Sequence, residues 1–156
     1  MSLKVSHGEG KMSRNLVSNV RGTATVELAI VLPLLLIVLF AIAELSIALY
    51  DKAVLTNASR EGARAGIVAG SSRVTDDRIR QVVRNYAATY LITFGGDTLG
   101  DEDIPITPPA PRDGLPFGTD LRVSVTYRYE FLVLSRLITS LVGPISLNAT
   151  TVMKLE

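Results

Sequence analysis

Residues 21–50 read RGTATVELAIVLPLLLIVLFAIAELSIALY, and this stretch decides the fold. No charged residue occurs between Leu28 and Ala43. The sixteen Leu, Ile, Val and Phe residues from Val26 to Tyr50 contribute at most about −5 to −10 kcal/mol to membrane insertion, whereas one central acid costs about 3 kcal/mol. At about 1.5 Å per residue the uncharged run is roughly 24 Å long, and its flanks can complete a span of about 30 Å. The stretch therefore predicts a membrane-spanning helix.

Pro33 lies inside this predicted helix. Proline has no amide hydrogen and its ring clashes with the preceding turn, so we expect a kink here. Neighbouring helices and local adjustments make such a defect easier to tolerate in a membrane than in water.

The charges on either side orient the helix. Residues 1–22 hold four basic residues and one acid, which gives them a net charge of +3 with His7 neutral. Because the whole chain has a net charge of +1, residues 23–156 have a net charge of −2. Positive flanks stay in the cytoplasm, so we expect residues after the helix to face outward. The outward part has no clustered cationic stretch of the kind that nucleic-acid binding needs. The chain has no cysteine, which fits an exported protein that does not depend on disulfides.

Three interpretations of this region remain open. In the first, a peptidase cuts between Gly22 and Thr23, and the apolar helix stays on the mature chain. In the second, Leu28–Phe40 is the core of a signal peptide that is cut after Ala43, at a small-x-small site. In the third, the helix is an uncleaved anchor. The acid at Glu27 and the apolar pattern that continues after Ala43 favour the first interpretation.

Glu27 has a physical role under that first interpretation. Cleavage after Gly22 creates an amino group on Thr23, four residues before Glu27, and both charges lie at the edge of hydrocarbon. Pairing them between neighbouring subunits would offset the cost of desolvating each, because an isolated buried charge is expensive. Such a contact would set the axial register of an assembly. Alternatively, Glu27 lies at headgroup level and meets water. We expect the second acid, Glu44, to lie at the outer membrane–water boundary.

Residues 21–40, RGTATVELAIVLPLLLIVLF, and residues 57–66, NASREGARAG, resemble the TadE-like family of minor pilins or pseudopilins of tight-adherence (Flp-type) pilus systems. In that family the glycine-containing leader, the acid just inside the helix, the internal proline and the downstream R-E-G-A-R segment occur together. The major pilins are shorter and carry Glu-Tyr at the acid, whereas Leu28 follows Glu27 here. The resemblance therefore implies an accessory subunit of a type IVb pilus rather than the bulk fibre protein.

The resemblance also implies partners and a location. The partners would be other pilus subunits, a prepilin peptidase that cuts after Gly22, the inner-membrane assembly platform and the secretion motor behind it. The protein would cross the inner membrane once, with its N-terminus in the cytoplasm, and could enter a surface pilus.

Residues 51–94 predict helix with one interruption. Gly62 and Gly66 are one turn apart beside Ala58, so one helix face is almost bare of side chains. Each glycine costs about 1 kcal/mol relative to alanine in a helix, and close helix packing would compensate. A helix end or hinge at residues 70–72 is the alternative. Thr75 resembles an N-cap for a second helix, whose apolar stripe we expect to lie on a sheet.

The rest of the chain predicts a loop and a sheet. Residues 95–118 contain five glycines and five prolines, which indicates a loop, and we expect its acidic cluster at residues 97–103 to be solvated rather than a metal site. Residues 121–131 and 145–155 alternate apolar and polar side chains, as half-buried strands do, and could pair antiparallel. Residues 132–142 are apolar but too short to span a bilayer.

No catalytic motif occurs in the chain. His7 is the only histidine, and no G-x-S-x-G, H-E-x-x-H or phosphate-loop pattern is present. We therefore predict a structural protein without enzymatic activity, cofactor or metal.

The predicted fold class is α+β: residues 1–22 are a basic leader, residues 23–50 a transmembrane helix, and residues 51–156 an exported domain with helices and a small antiparallel sheet. A soluble periplasmic binding or enzymatic domain released after Ala43 is the alternative.

Overall fold

The computed structural model describes residues 14–68, 73–93, 99–131 and 145–156. These residues divide into two compact units, with the boundary between Phe40 and Ala41. Four predicted features lie wholly or partly outside the described residues: residues 1–13 of the basic leader, the hinge at residues 70–72, the apolar segment 132–142 and the first part of the acidic cluster, Asp97.

Helix α1 comprises Arg14–Ile67 and continues through Pro33. In the first unit every described side chain from residue 22 to residue 40 is exposed. Among the described residues one helix, Gly22–Ile67, is long and apolar enough to cross a membrane, with a mean hydropathy of 2.9 in its most apolar window. Because large aliphatic side chains surround the helix on all sides, water is an unfavourable solvent for it.

The second unit is built around the later turns of α1. Leu55, Ala58 and Ala63 on this helix are fully buried in the hydrophobic core. Ser59 is also fully buried, and its hydroxyl lies 2.7 Å from the Thr151 hydroxyl on the sheet. The helix is therefore the central element of the folded unit rather than a tether attached to it.

Helix α2 comprises Asp76–Tyr90 and begins as the sequence predicts. The Thr75 hydroxyl accepts a hydrogen bond from the Arg78 amide at 3.4 Å, which satisfies one of the free amides of the first turn. Ile79, Val83 and Ala87, spaced by four residues, are buried in the same core as the sheet. The predicted N-cap is thus confirmed.

The sheet has three antiparallel strands in the order β1 (Ile106–Thr107), β2 (Asp120–Tyr129), β3 (Ile145–Lys154). Strands β2 and β3 pair along their whole length, from Asp120 opposite Lys154 to Tyr129 opposite Ile145. Their antiparallel pairing and the predicted α+β fold class are confirmed.

The prediction that residues 95–118 contain no regular structure was wrong for β1. Ile106 lies opposite Val123 on β2, and the neighbouring Pro105 carbonyl accepts the Ser124 amide at 3.1 Å. A proline can accept such a bond although it cannot donate one, so a two-residue strand fits between prolines at the edge of a sheet.

Candidate assembly and processing site

The predicted processing and register residues lie on one side of α1. Gly22, Thr23, Val26, Glu27 and Ile30 lie together on the exposed surface of the helix in the first unit. The spacing of four residues between Thr23 and Glu27 explains this, since residues i and i+4 are neighbours on a helix surface. Glu27 is exposed, and a side chain added at Gly22 would meet no atom within 4 Å. The two positions are therefore accessible on the described part of the helix.

The two predicted packing glycines lie at the crowded centre of the second unit. A Cβ atom added to Gly62 would lie 2.5 Å from Cγ2 of Val83 on α2. A Cβ atom added to Gly66 would lie 2.6 Å from Cδ2 of Leu121 on β2 and 2.7 Å from Cδ1 of Ile79 on α2. These distances are shorter than carbon atoms tolerate, so the glycine face of α1 lets both α2 and the sheet approach its backbone.

Two acids on α1, Glu44 and Asp51, are buried. The sequence predicts exposure for Glu44 and gives no signal for Asp51. Glu44, expected at a water boundary, is 4% exposed, and Asp51 is fully buried. The Asp51 carboxylate accepts the Ile92 amide at 3.0 Å, just after the end of α2, whereas its Oδ2 atom has no hydrogen-bond partner among the described residues. Their spacing of seven residues places them on one helix face, a signal that sequence inspection could have used.

Tyr129 joins the end of β2 to α1 beside these acids. Its hydroxyl donates a hydrogen bond to the Glu44 backbone carbonyl at 3.3 Å. Burial raises the pKa of the Tyr129 hydroxyl, and the negative charges of Asp51 and Glu44 and the neighbouring Tyr127 raise it further. The phenol therefore keeps the proton that it donates to the helix.

Comparison with protein families finds a match within this helix. Residues 22–64 match the family model described as TadE-like protein. This segment is similar to the TadE-like family. The match confirms the resemblance, and the family is associated with tight-adherence pili and is structural rather than catalytic. No curated protein and no solved structure matches the chain.

The TadE-like segment contains four of the predicted site residues, Gly22, Thr23, Glu27 and Pro33, together with the first packing glycine, Gly62. It begins in the first compact unit and ends in the second, one residue after the buried Ala63. The family match therefore covers both the apolar helix and the helix face on which the folded domain is built. Gly66 follows just after the matched residues.

Outside the TadE-like segment, sequence inspection missed a buried arginine. Arg112 is 1% exposed and lies in the proline-rich loop. Its guanidinium donates to the Pro108 carbonyl at 2.8 Å and to the Val74 carbonyl at 3.0 Å, and it forms an ion pair with Asp76. The Asp76 carboxylate also accepts the Ala110 amide at 3.2 Å. Arg112 therefore links the proline-rich loop to the start of α2. Its position within a loop gave no indication in the sequence that its side chain would be buried and paired.

The acidic loop is engaged with its own chain. Asp101 forms an ion pair with Arg84 on α2, and the Asp103 carboxylate accepts the Gly100 amide at 2.9 Å. Within the described ranges, no group of three or more histidine, cysteine or acidic residues could hold a metal ion. Asp101 and Asp103 therefore have partners within the folded unit.

Proposed function

We propose that this protein is a minor pilin or pseudopilin, a structural and assembly subunit of a tight-adherence type IVb pilus. A prepilin-type peptidase processes it after Gly22, and Thr23 becomes the first residue. The observation that carries the proposal is the TadE-like segment 22–64, one helix that is apolar and exposed at its start and buried in a folded unit at its end.

The apolar first half of α1 would hold the protein in the inner membrane before assembly. The candidate span found in the described part of the chain and the positively charged residues before it support one crossing, with the N-terminus in the cytoplasm and the folded unit outside. The partners would be other pilus subunits, the prepilin peptidase and the inner-membrane assembly platform. Pilus subunits assemble through such helices, so no catalytic group, cofactor or nucleic acid is required.

The alternative, a soluble domain released by cleavage after Ala43, fits the packing less well. The bond between Ala43 and Glu44 lies inside continuous helix, one residue before a buried side chain. Cutting there would remove the carbonyls of residues 40–43, which accept the amides of the helical turn that begins at Glu44, and the Glu44 carbonyl is the acceptor of the Tyr129 hydroxyl. Leaving these amides without their helical partners opposes this product.

Glu27 is the residue that we expect to set register. Its side chain is exposed on the same helix surface as Thr23, so a neighbouring subunit's new amino group can approach it from outside the helix. In an assembled core without water, the pair would satisfy both charges.

Substitution of Glu27 by glutamine tests this role. Glu27→Gln keeps the shape and should leave the amount of protein in the membrane unchanged. We expect its level in sheared surface fibres to fall about tenfold or more, because an unpaired buried amine costs more than the roughly 1.4 kcal/mol that corresponds to a factor of ten. Immunoblots of membrane and sheared fractions measure both quantities.

Glu61→Gln is the matched control, since Glu61 is an exposed acid on the same helix. Its level in the fibres should equal that of the wild type. Normal incorporation of Glu27→Gln would show that Glu27 does not set register.

A further inference from the structure

Strand β3 lies at one edge of the sheet, and no described residue pairs with its outer side. In an antiparallel ladder, successive residues direct their backbone groups alternately towards and away from the neighbouring strand. The Ser124 amide on β2 donates away from β3, to the Pro105 carbonyl at 3.1 Å. Its partner on β3, Thr150, therefore directs its own amide and carbonyl to the open edge. The pair Thr126 and Asn148 follows the same pattern. By this alternation the outward-facing residues of β3 are Ser146, Asn148, Thr150, Val152 and Lys154.

The two edges of the sheet differ in how well they are protected from pairing with another chain. Folded proteins protect exposed edges with proline, with charge or by keeping the edge strand short. Strand β1 has only two residues and lies between Pro105 and Pro108. Strand β3 has ten residues, contains no proline and has one charged residue, Lys154, which is paired with Asp120 on β2 at 3.0 Å. From Ile145 to Met153 the open edge therefore has none of these protective features.

The direction of β3 argues against a symmetric pair of two copies of this chain. The strand begins opposite Tyr129, whose hydroxyl donates to the Glu44 carbonyl. Just after its end, the Glu156 amide donates to the Ile67 carbonyl at 3.2 Å. Within the second unit β3 therefore runs in the same direction as α1. Antiparallel pairing of two β3 strands about a two-fold axis would make the two chains enter their folded units from opposite ends, so one membrane could not anchor both.

We propose that the open edge of β3 binds an extended, uncharged strand of a different pilus subunit, which becomes a fourth strand of this sheet. This inference rests on the proposed function. In this mode of recognition the main-chain hydrogen bonds supply affinity and alternate side chains supply specificity. The outward amides and carbonyls of β3 provide the main-chain part.

The side chains of β3 define the chemistry of the strand that it would bind. On the face towards the helices, Leu147 and Met153 are partly buried against the core. On the other face, Asn148 and Thr150 are exposed. Because residues Ile145–Met153 carry no charge, a charged residue of the bound strand would find no counterion among them. The bound strand should therefore alternate aliphatic residues with small, uncharged polar residues.

Photocrosslinking in cells that produce the pilus tests the proposal on the full chain. Benzoylphenylalanine is incorporated at position 148 on the edge and, as a control, at position 81 on α2, since Asn148 and Gln81 are both exposed. Mass spectrometry then identifies the protein and the segment joined to each label. We expect position 148 to form an adduct with a strand of another pilus subunit and position 81 to form no such adduct.

Proline substitution tests whether the backbone of β3 makes the contact. Thr150→Pro removes an outward amide, and proline is tolerated at the edge of a sheet. Thr150→Val is the matched control, because it keeps the amide but also lacks the hydroxyl that lies 2.9 Å from the Ser124 hydroxyl. We expect Thr150→Pro to lower the adduct at position 148 about tenfold or more, because a carbonyl of the bound strand loses its donor, and Thr150→Val to leave it unchanged. Val152→Pro removes a second outward amide and tests the edge independently, and urea denaturation checks that each variant is folded.

The outcomes separate this inference from the proposed function. Absence of an adduct at position 148, in cells whose mature protein begins at Thr23, would overturn the inference and leave the proposed function intact. An adduct that contains only two copies of this chain would overturn it as well, and so would equal adduct levels in folded Thr150→Pro and Thr150→Val. Recovery of a soluble chain that begins at Glu44 would instead contradict the proposed function.

Discussion

Replacement of Arg112 by methionine is expected to lower the free energy of unfolding by about 3–5 kcal/mol, because it leaves the partly buried carboxylate of Asp76 without its cation. The arginine side chain is fully buried, so solvent screens the pair weakly. The substitution also leaves the Pro108 and Val74 carbonyls without their side-chain donor. Methionine fills a similar volume, so most of the loss should come from the unpaired polar groups. Urea denaturation of the full chain in mild detergent, followed by tyrosine fluorescence, measures the change.

The matched control is Lys154→Met, which breaks an exposed ion pair. Lys154 and Asp120 lie 3.0 Å apart on the sheet, and their side chains are 73% and 62% exposed. Exposed pairs of this kind contribute about 0–1 kcal/mol. Equal losses for Arg112→Met and Lys154→Met would show that burial of the arginine contributes nothing to stability.

Replacement of Gly62 by valine should lower the free energy of unfolding by about 1–3 kcal/mol, the usual cost of overpacking a core. The first added carbon already falls 2.5 Å from Cγ2 of Val83, a fully buried and stiff β-branched side chain. Gly62→Ala should cost less, because alanine regains about 1 kcal/mol of helix propensity. The same denaturation experiment measures both variants.

A compensating substitution tests the close contact between the α1 backbone at Gly62 and the Val83 side chain on α2. Val83→Ala removes the atoms that a side chain at position 62 would meet, so Gly62→Ala combined with Val83→Ala should lose less stability than the sum of the two single variants. Gly114→Ala is the control for glycine replacement, because a Cβ atom there meets nothing within 4 Å. Strict additivity of the two substitutions would contradict the proposed close packing of α1 on α2.

The elements that sequence alone predicted are those with a local signal. The apolar run around Pro33, the N-cap at Thr75 and the alternating pattern of β2 each result from interactions within a few residues of chain, and pattern analysis detects such interactions directly. Gly62 and Gly66 were selected for the same reason, since their spacing of one helical turn is visible in the sequence. The partners of these glycines, Val83 and Leu121, were not, because they come from distant parts of the chain.

The features that sequence inspection missed depend on tertiary context. Arg112 and Asp76 are 36 residues apart, and nothing near either residue indicates that the pair is buried. Glu44 was expected at a water boundary because it follows an apolar run, but the folded unit covers its face of α1. Strand β1 has only two residues, which is too short for alternation to be recognised. In each case packing against distant chain outweighs the local pattern.

The central claim is that α1 remains intact on the mature protein, both as its membrane anchor and as the core helix of its folded unit. Mass spectrometry of the protein purified from cell membranes and sheared fibres tests this claim most directly, because it identifies the first residue. We predict a mature chain that begins at Thr23. A water-soluble product that begins at Glu44 and lacks the apolar run would contradict the claim.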